Sequence, residues 1–113
     1  MKVALVTGAG SGIGRAVARA LAREGWHLAL LGRREAPLRD TLPDALHLPA
    51  DVTDEAQVDA AFATLKQRFG RLDLLFNNAG VGNPPGPFED WTPEQWKGVV
   101  DINLNGMFYC LQQ

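Results

Sequence analysis

Cysteine, tyrosine and serine are nearly missing from this sequence, and it has no long hydrophobic run. The one cysteine, Cys110, has no partner for an internal disulfide or a CxxC metal clip, and such sparse use is typical of a reducing compartment. No apolar run approaches the length of about 18 residues that a membrane-spanning helix needs. The segment before the first glycines lacks the apolar stretch of a secretory signal. We therefore expect a cytoplasmic protein with no membrane contact and no metal centre.

The charge balance excludes a strong field around the domain. Eleven Lys and Arg residues and 13 Asp and Glu residues give a formal net charge of −2. We therefore expect no nucleic-acid partner, and any anion site must be local. The 113 residues, 46% of them hydrophobic, suffice for one globular domain and are too apolar for a disordered chain.

Glycine and proline residues divide the chain into apolar stretches of two kinds. Short uninterrupted apolar runs predict strands that are buried on both faces, at 2–6, 28–31, 46–49 and 72–76. Helical spacing predicts helices from Ile13 to a stop at Gly25, from Glu35 to Asp40, from Val58 to Phe69 with Gly70 as its stop, and onward from a capping box at Thr92 and Gln95. This alternation predicts an α/β fold with a doubly wound parallel sheet. The segment 81–90, rich in Gly and Pro, predicts a surface loop.

The spacing also predicts which helix faces are buried. In the first helix the apolar positions are Ala16, Val17, Ala20 and Leu21. In the third they are Val58, Ala61, Phe62, Leu65 and Phe69.

The nine residues Thr-Gly-Ala-Gly-Ser-Gly-Ile-Gly-Arg, which run from the end of the first strand into the first helix, predict an anion site. A helix N-terminus offers N–H groups without helical partners and about half a positive charge, so a diphosphate can bind there without a charged side chain. The segment matches TGxxxGxG through Thr7, Gly8, Gly12 and Gly14, whereas the strict GxGxxG, P-loop and GxSxG patterns are not met. The alternative is a glycine turn that only lets helix and strand pack closely.

Four motifs in this order make the chain resemble the short-chain dehydrogenase/reductase family. They are TGAGSGIG from Thr7, Asp51-Val52 after the third strand, Asn77-Asn78-Ala79-Gly80 after the fourth, and Asp101-Ile102-Asn103-Leu104-Asn105-Gly106. The resemblance implies a Rossmann-type sheet, of which four strands are present here. It also implies an NAD(P)-dependent oxidoreductase that transfers hydride between a nicotinamide cofactor and a small alcohol or carbonyl substrate.

The resemblance assigns parts of the cofactor to these motifs. The turn, with Gly8, would hold the diphosphate at Ser11, Gly12 and Ile13, and Gly14 would let the helix pack closely on the sheet. Asp51 would accept from the adenine amino group beside the Val52 backbone; its alternative role is a helix cap. Asn78, Ala79 and Gly80 would line the ribose side of the cofactor. For Asn77, a purely structural role is an equally good alternative to cofactor contact.

The end of the second strand predicts a preference for NADP, with NAD also possible. NAD-preferring sites place a carboxylate about 20 residues after the glycines. Here Gly32 is followed by Arg33 and Arg34. Guanidinium groups bind a 2′-phosphate through charge-assisted hydrogen bonds, so we expect Arg33 as the main ligand and Arg34 as its support. The alternative is a pair of solvated arginines.

Asn103 is the predicted catalytic residue within this chain. It lies on one helical stripe with Trp96, Val99, Val100 and Met107. The resemblance implies that it kinks the helix and holds a water of the proton relay, and the alternative is a buried structural amide. His27 and His47 are interpreted as structural or exposed, and Cys110 as a core or interface residue.

The family's Tyr-xxx-Lys pair and its serine are not found. Tyr109 is followed four residues later by Gln113, and Ser11 belongs to the glycine turn. We therefore expect residues 1–113 to be the N-terminal part of a cofactor domain, truncated before Tyr-xxx-Lys and inactive alone; the alternative is a non-catalytic dinucleotide-binding or assembly module. The resemblance also implies a homo-oligomer, a dimer or tetramer, through the apolar stripe from Leu104 to Leu111, although that stripe could instead pack on its own sheet.

Overall fold

The computed structural model describes residues 1–80 and 87–113, and within them the chain forms a four-stranded parallel sheet. Its strands are β1 (Val3–Thr7), β2 (His27–Gly32), β3 (Leu46–Pro49) and β4 (Leu74–Phe76). The strand order is β3-β2-β1-β4, with β1 parallel to both of its neighbours. The predicted α/β fold with a Rossmann-type sheet is confirmed.

Helices connect the strands and continue the chain beyond them. They are α1 (Gly12–Arg23), α2 (Glu35–Thr41), α3 (Glu55–Phe69), α4 (Pro93–Val100) and α5 (Gly106–Gln112). A π-helical turn, Asp101–Asn105, joins α4 to α5. The predicted capping box is present, because the Thr92 side chain accepts from the Gln95 N–H and the Gln95 side chain accepts from the Thr92 N–H. Among the described residues no helix has the length and apolar character to cross a bilayer.

The core lies on both faces of the sheet. Alternate residues of β1 point in opposite directions, so Leu5 packs with α3 and α5 while Ala4 and Val6 pack with α1 and α2. All five residues of β1 are buried, as expected for a central parallel strand. This packing holds the carboxyl ends of the strands together at one edge.

Three details differ from the sequence prediction. The buried face of α1 is centred on Gly14 and Ala18, and Ala16 and Ala20 are exposed, because Gly14 is the residue that docks on the turn. Strand β4 begins at Leu74 rather than at residue 72, since the Asp73 carboxylate accepts the Val3 N–H at 2.8 Å. In the predicted loop 81–90, Phe88–Asp90 forms a 3₁₀ turn, and 81–86 lie outside the described residues.

Candidate cofactor-binding site

The turn from β1 to α1 uses glycine for two different reasons. Gly8 and Gly12 have φ values of 64° and 55°, in the left-handed region that other residues rarely adopt. At Gly14 the requirement is steric, because a Cβ atom there would clash with the Gly8 carbonyl oxygen and lie 2.7 Å from Asn78 Nδ2. Gly14 therefore lets α1 begin in direct contact with the turn.

The N-terminus of α1 is open on its outer side. Ser11, Gly12 and Ile13 are exposed, and a Cβ atom on Gly12 would meet nothing within 4 Å. Ser11 is the N-cap but makes no side-chain capping bond, and the first turn contains no acidic residue. An anion could therefore approach the free N–H groups without displacing a side chain or meeting a negative charge.

Asp51 follows β3 and is not the cap of α3. Asp54 takes that position, since its side chain accepts from the Gln57 N–H at 3.2 Å. The Oδ1 atom of Asp51 accepts from the Thr53 N–H at 2.9 Å and from the Thr53 hydroxyl at 2.7 Å. These two hydrogen bonds, and more weakly the charge of Arg33, hold the pKa of Asp51 below its ordinary value, against the opposing effect of burial. Its carboxylate is therefore ionised at neutral pH, beside a cation.

The exit of β4 is fastened to the end of β1. The buried Thr7 hydroxyl accepts from the N–H groups of Asn78 and Ala79, both at 2.9 Å. Asn78 Nδ2 also donates to the Gly8 carbonyl at 3.5 Å. The two motifs, about 70 residues apart in sequence, thus form one surface.

Asn103 lies in the π-helical turn between α4 and α5. Its side chain is exposed, and so are Trp96 and Met107, at 52% and 37%. Within the described residues, three members of the predicted stripe are therefore exposed, while Val99 and Val100 are half-buried. Asn103 Oδ1 is close to Gly80, where a Cβ atom would come within 3.1 Å of it. π-helical turns are frequent at functional sites.

One cleft of about 230 Å³ opens at the carboxyl edge of the sheet. Eight predicted cofactor residues line it, namely Gly8, Ser11, Arg33, Arg34, Asp51, Val52, Ala79 and Gly80. Five predicted site residues lie outside its lining, namely Gly12, Ile13, Gly14, Asn78 and Asn103. Carboxyl edges of doubly wound sheets are where ligands bind.

The sequence interpretation missed some residues of the cleft wall. Ile102, in the π-helical turn, lines the cleft, and its place beside Asn103 in the fourth motif was the available signal. Pro37 and Leu38 of α2 line it as well. No local pattern marks them, because their position depends on the contact between α2 and the glycine turn.

The remaining candidates lie elsewhere in the fold. Cys110 is 1% exposed, and burial raises the pKa of its thiol to about 11, as expected of a core residue. His27 is exposed, and its ring is tilted by 55° against that of Phe69, with ring centroids 5.9 Å apart. His47 Nε2 lies 2.7 Å from the Leu42 carbonyl oxygen. In the described part of the chain, no three His, Cys, Asp or Glu residues are grouped as metal ligands.

Comparison with known proteins decides the family. The family model described as short chain dehydrogenase matches residues 2–113. The chain belongs to this family. All four motifs of the cleft lie inside the matched range, so the resemblance found in the sequence is confirmed.

Several short chain dehydrogenases are similar to this chain over nearly all of its length. Levodione reductase of Leifsonia aquatica is 45% identical over 121 residues, which cover 99% of this chain and 45% of that relative. Among solved structures, a 3-ketoacyl-(acyl-carrier-protein) reductase from Brucella melitensis complexed with NADH has a TM-score of 0.95 at 36% identity, covering 98% of this chain and 47% of that one. The alcohol dehydrogenase of the archaeon Thermococcus sibiricus, complexed with 5-hydroxy-NADP, has a TM-score of 0.93 at 33% identity, covering 99% and 51%. The chain thus spans about half the length of these relatives.

Proposed function

We propose that residues 1–113 are the N-terminal, cofactor-binding part of an NAD(P)-dependent oxidoreductase that acts on a small alcohol or carbonyl compound. The observation that carries this proposal is the single cleft into which the glycine turn, the two arginines, Asp51-Val52 and Ala79-Gly80 converge. These segments follow four different strands, and their meeting at one edge fits a long, bipartite ligand.

The residues present fit a nicotinamide adenine dinucleotide. Ser11, Gly12 and Ile13 offer an open helix N-terminus to the diphosphate. Asp51, ionised and held by Thr53, is an acceptor for the adenine amino group, with the Val52 backbone beside it. Ala79 and Gly80 form the ribose side of the cleft. Two similar structures carry NADH and an NADP derivative, which supports a cofactor of this class.

We further propose that NADP is preferred over NAD. Gly32 ends β2 where an NAD site would place a carboxylate, and the next two residues, Arg33 and Arg34, are exposed on the cleft. Paired guanidinium groups complement a 2′-phosphate, which a carboxylate would repel.

The catalytic assignment within this chain is Asn103. A bound nicotinamide supplies the hydride donor or acceptor. Asn103, exposed on a π-helical turn against Gly80, would hold a water that carries the substrate's hydroxyl proton. The tyrosine and lysine that the family uses for this proton are not among these 113 residues.

Steady-state kinetics of the full-length protein with NADPH, NADH and a panel of carbonyl compounds test the function. We expect kcat/KM to be higher with NADPH. Arg33→Ala should lower kcat/KM for NADPH at least about tenfold, the effect of losing a charge-assisted hydrogen bond, and leave NADH nearly unchanged. Arg23→Ala, which removes an exposed arginine at the far end of α1, is the matched control and should change neither.

The outcomes separate the proposals. Equal use of both cofactors, together with no effect of Arg33→Ala, would refute the NADP preference. Cofactor binding without turnover of any substrate would refute the oxidoreductase and favour a non-catalytic dinucleotide-binding module.

We also propose a homo-oligomer, a dimer or a tetramer, located in the cytoplasm. Four large apolar side chains of the π-helical turn and α5 are exposed, namely Leu104, Met107, Phe108 and Leu111. Apolar surface of this kind marks association sites. Light scattering of the full-length protein should give a multiple of the subunit mass, and Phe108→Glu should lower it. A monomer at all concentrations would contradict the homo-oligomer. Recovery of the protein from a secreted fraction would contradict the cytoplasmic location.

A further inference from the structure

Helix α2 is fastened to the glycine turn by the side chain of its last residue, Thr41. This side chain is 3% exposed, and its hydroxyl lies 2.8 Å from the Ala9 carbonyl oxygen and 2.9 Å from that of Pro37. The same oxygen accepts a hydrogen bond from Arg15 Nε at 3.0 Å. One buried hydroxyl therefore joins the turn, α1 and α2.

Arg15 completes this connection from the first helix. Its Nη2 donates to the Gly10 carbonyl at 2.6 Å and to the Pro37 carbonyl at 3.4 Å. Since Nε and Nη2 donate to Thr41, the turn and α2, we assign Arg15 a role in holding the fold rather than in binding an anion. We call the hydrogen bonds among Arg15, Thr41, Ala9, Gly10 and Pro37 the Arg15–Thr41 clamp.

Two neighbouring contacts add to the clamp. A Cβ atom on Gly10 would lie only 2.8 Å from Pro37 Cβ, so the turn and α2 are in direct van der Waals contact. One helical turn after Arg15, Arg19 donates to the Thr41 and Asp40 carbonyls at 3.0 and 2.9 Å. The whole of α2 is thus held against the turn and α1.

We propose that the Arg15–Thr41 clamp sets the spacing between the glycine turn and Arg33-Arg34, and thereby the preference for NADP over NAD. Arg34 is the N-cap of α2, and Arg33 connects it to Gly32 at the end of β2, so the position of α2 helps to determine where both guanidinium groups stand. The clamp contributes no atom to the ligand. It acts through the placement of the arginines, which makes Arg15 and Thr41 positioning residues.

The two cofactors should respond differently to a loosened clamp. A ligand with a 2′-phosphate gains from binding the turn and the arginines at once, and this gain depends on their fixed spacing. A ligand without that phosphate uses the turn but not the arginines. This inference rests on the proposed function, since it presumes a dinucleotide in the cleft.

The test compares Thr41→Val with Thr41→Ser in the full-length protein. Valine has the shape of threonine but cannot hydrogen-bond, whereas serine keeps the hydroxyl. We expect Thr41→Val to raise the Kd for NADPH about tenfold, measured by titration calorimetry without substrate, and to raise its KM to the same extent, because a loosened clamp forfeits part of the gain from binding the turn and the arginines at once. The KM for NADH and both kcat values should change less than about twofold, and Thr41→Ser should retain most of the NADPH affinity. Arg15→Met provides the same comparison if the valine variant fails to fold.

The outcomes distinguish this inference from the function on which it rests. Equal increases in the two KM values, or no change in either, would overturn the clamp as a specificity device. Arg33→Ala is the reference: if it abolishes the NADPH preference while Thr41→Val and Arg15→Met do not, the clamp fails and the NADP proposal stands. If Arg33→Ala has no effect either, the NADP proposal itself fails.

Discussion

Gly106 of α5 lies so close to Val52 that a Cβ atom on the glycine would come within 2.5 Å of Val52 Cγ2 and 2.9 Å of Val52 Cβ. Val52 belongs to the proposed adenine side of the cleft, and Gly106 directly follows the π-helical turn that carries Asn103. The contact therefore places the turn relative to the cleft. It links the proposed adenine side of the cleft to the turn that carries Asn103, because Gly106 packs directly on Val52.

Gly106→Ala should destabilise the protein and disturb the cleft. The added methyl group must displace Val52, and overpacking of this kind costs about 1–3 kcal/mol. Urea unfolding measures the loss, and the KM for the cofactor should rise in parallel. Gly98→Ala is the matched control, because Gly98 also lies in a helix but a Cβ atom there meets nothing within 4 Å. It should be neutral or stabilise by about 0.5–1 kcal/mol. Equal effects of the two substitutions would contradict the importance of the contact.

Thr7→Val should loosen the exit of β4 from the end of β1. Valine keeps the shape and removes the acceptor of the Asn78 and Ala79 N–H groups, and each donor left unpaired in the interior costs about 1–3 kcal/mol. Since both groups are only half-buried, we expect the lower end of that range, together with weaker cofactor binding. Thr7→Ser keeps the oxygen and should restore binding. A valine variant as stable as the native protein, with native cofactor binding, would contradict this role of the Thr7 hydroxyl.

Local signals were sufficient for most of the fold. An uninterrupted apolar run specified β1, and the capping box at Thr92 and the left-handed Gly70 marked helix ends, because each depends on neighbouring residues alone. The buried face of α1 was misplaced toward Ala16 and Ala20. Alanine is tolerated on either face of a helix. The docking of Gly14 on Gly8 decides which face of α1 is buried, and this docking is a tertiary contact.

The prediction of the site rested on sequence motifs and was less complete than the prediction of the fold. The motifs after β1, β3 and β4 supplied six of the residues that line the cleft, and the end of β2 supplied Arg33 and Arg34, since the carboxyl ends of parallel strands share one edge. Nothing local indicates that Pro37 reaches Gly10 or that Thr41 binds Ala9, because both contacts join segments about 30 residues apart. The π-helical turn before Gly106 likewise has no sequence signature of its own.

Asp51 should make stability depend on pH on the acid side. Its pKa is lowered in the folded state, first by the Thr53 N–H and then by the Thr53 hydroxyl. Its contribution is therefore fully present above its ordinary pKa of about 4 and is lost as pH falls through the lower folded value. The free energy of unfolding, measured from about pH 3 to about pH 7, should fall more steeply with acid for the native protein than for Asp51→Asn. Asp44→Asn, at an exposed position, should retain the native slope, and a native slope in Asp51→Asn would refute the assignment.

Cys110 should resist alkylation in the folded protein. Its thiol is buried, and its pKa of about 11 leaves few thiolates at neutral pH. Iodoacetamide labelling, followed by mass spectrometry of the peptide that contains Cys110, should be slow in buffer and fast in urea. Native labelling at the rate of the unfolded protein would show that α5 does not pack its Cys110 thiol against α3 and the sheet.

Parallel pairing with β4 also sets an order of events during synthesis. Thr7 acquires its partners Asn78 and Ala79 only after 71 and 72 further residues. At a ribosomal rate of about 5–20 residues per second, that interval is about 4 to 14 seconds. Contacts of such long sequence separation also slow folding, because the intervening chain must be closed into a loop first. The glycine turn therefore leaves the ribosome well before the partners of Thr7 do, and a chaperone that binds nascent chains would meet β1 before β4 exists to cover its edge.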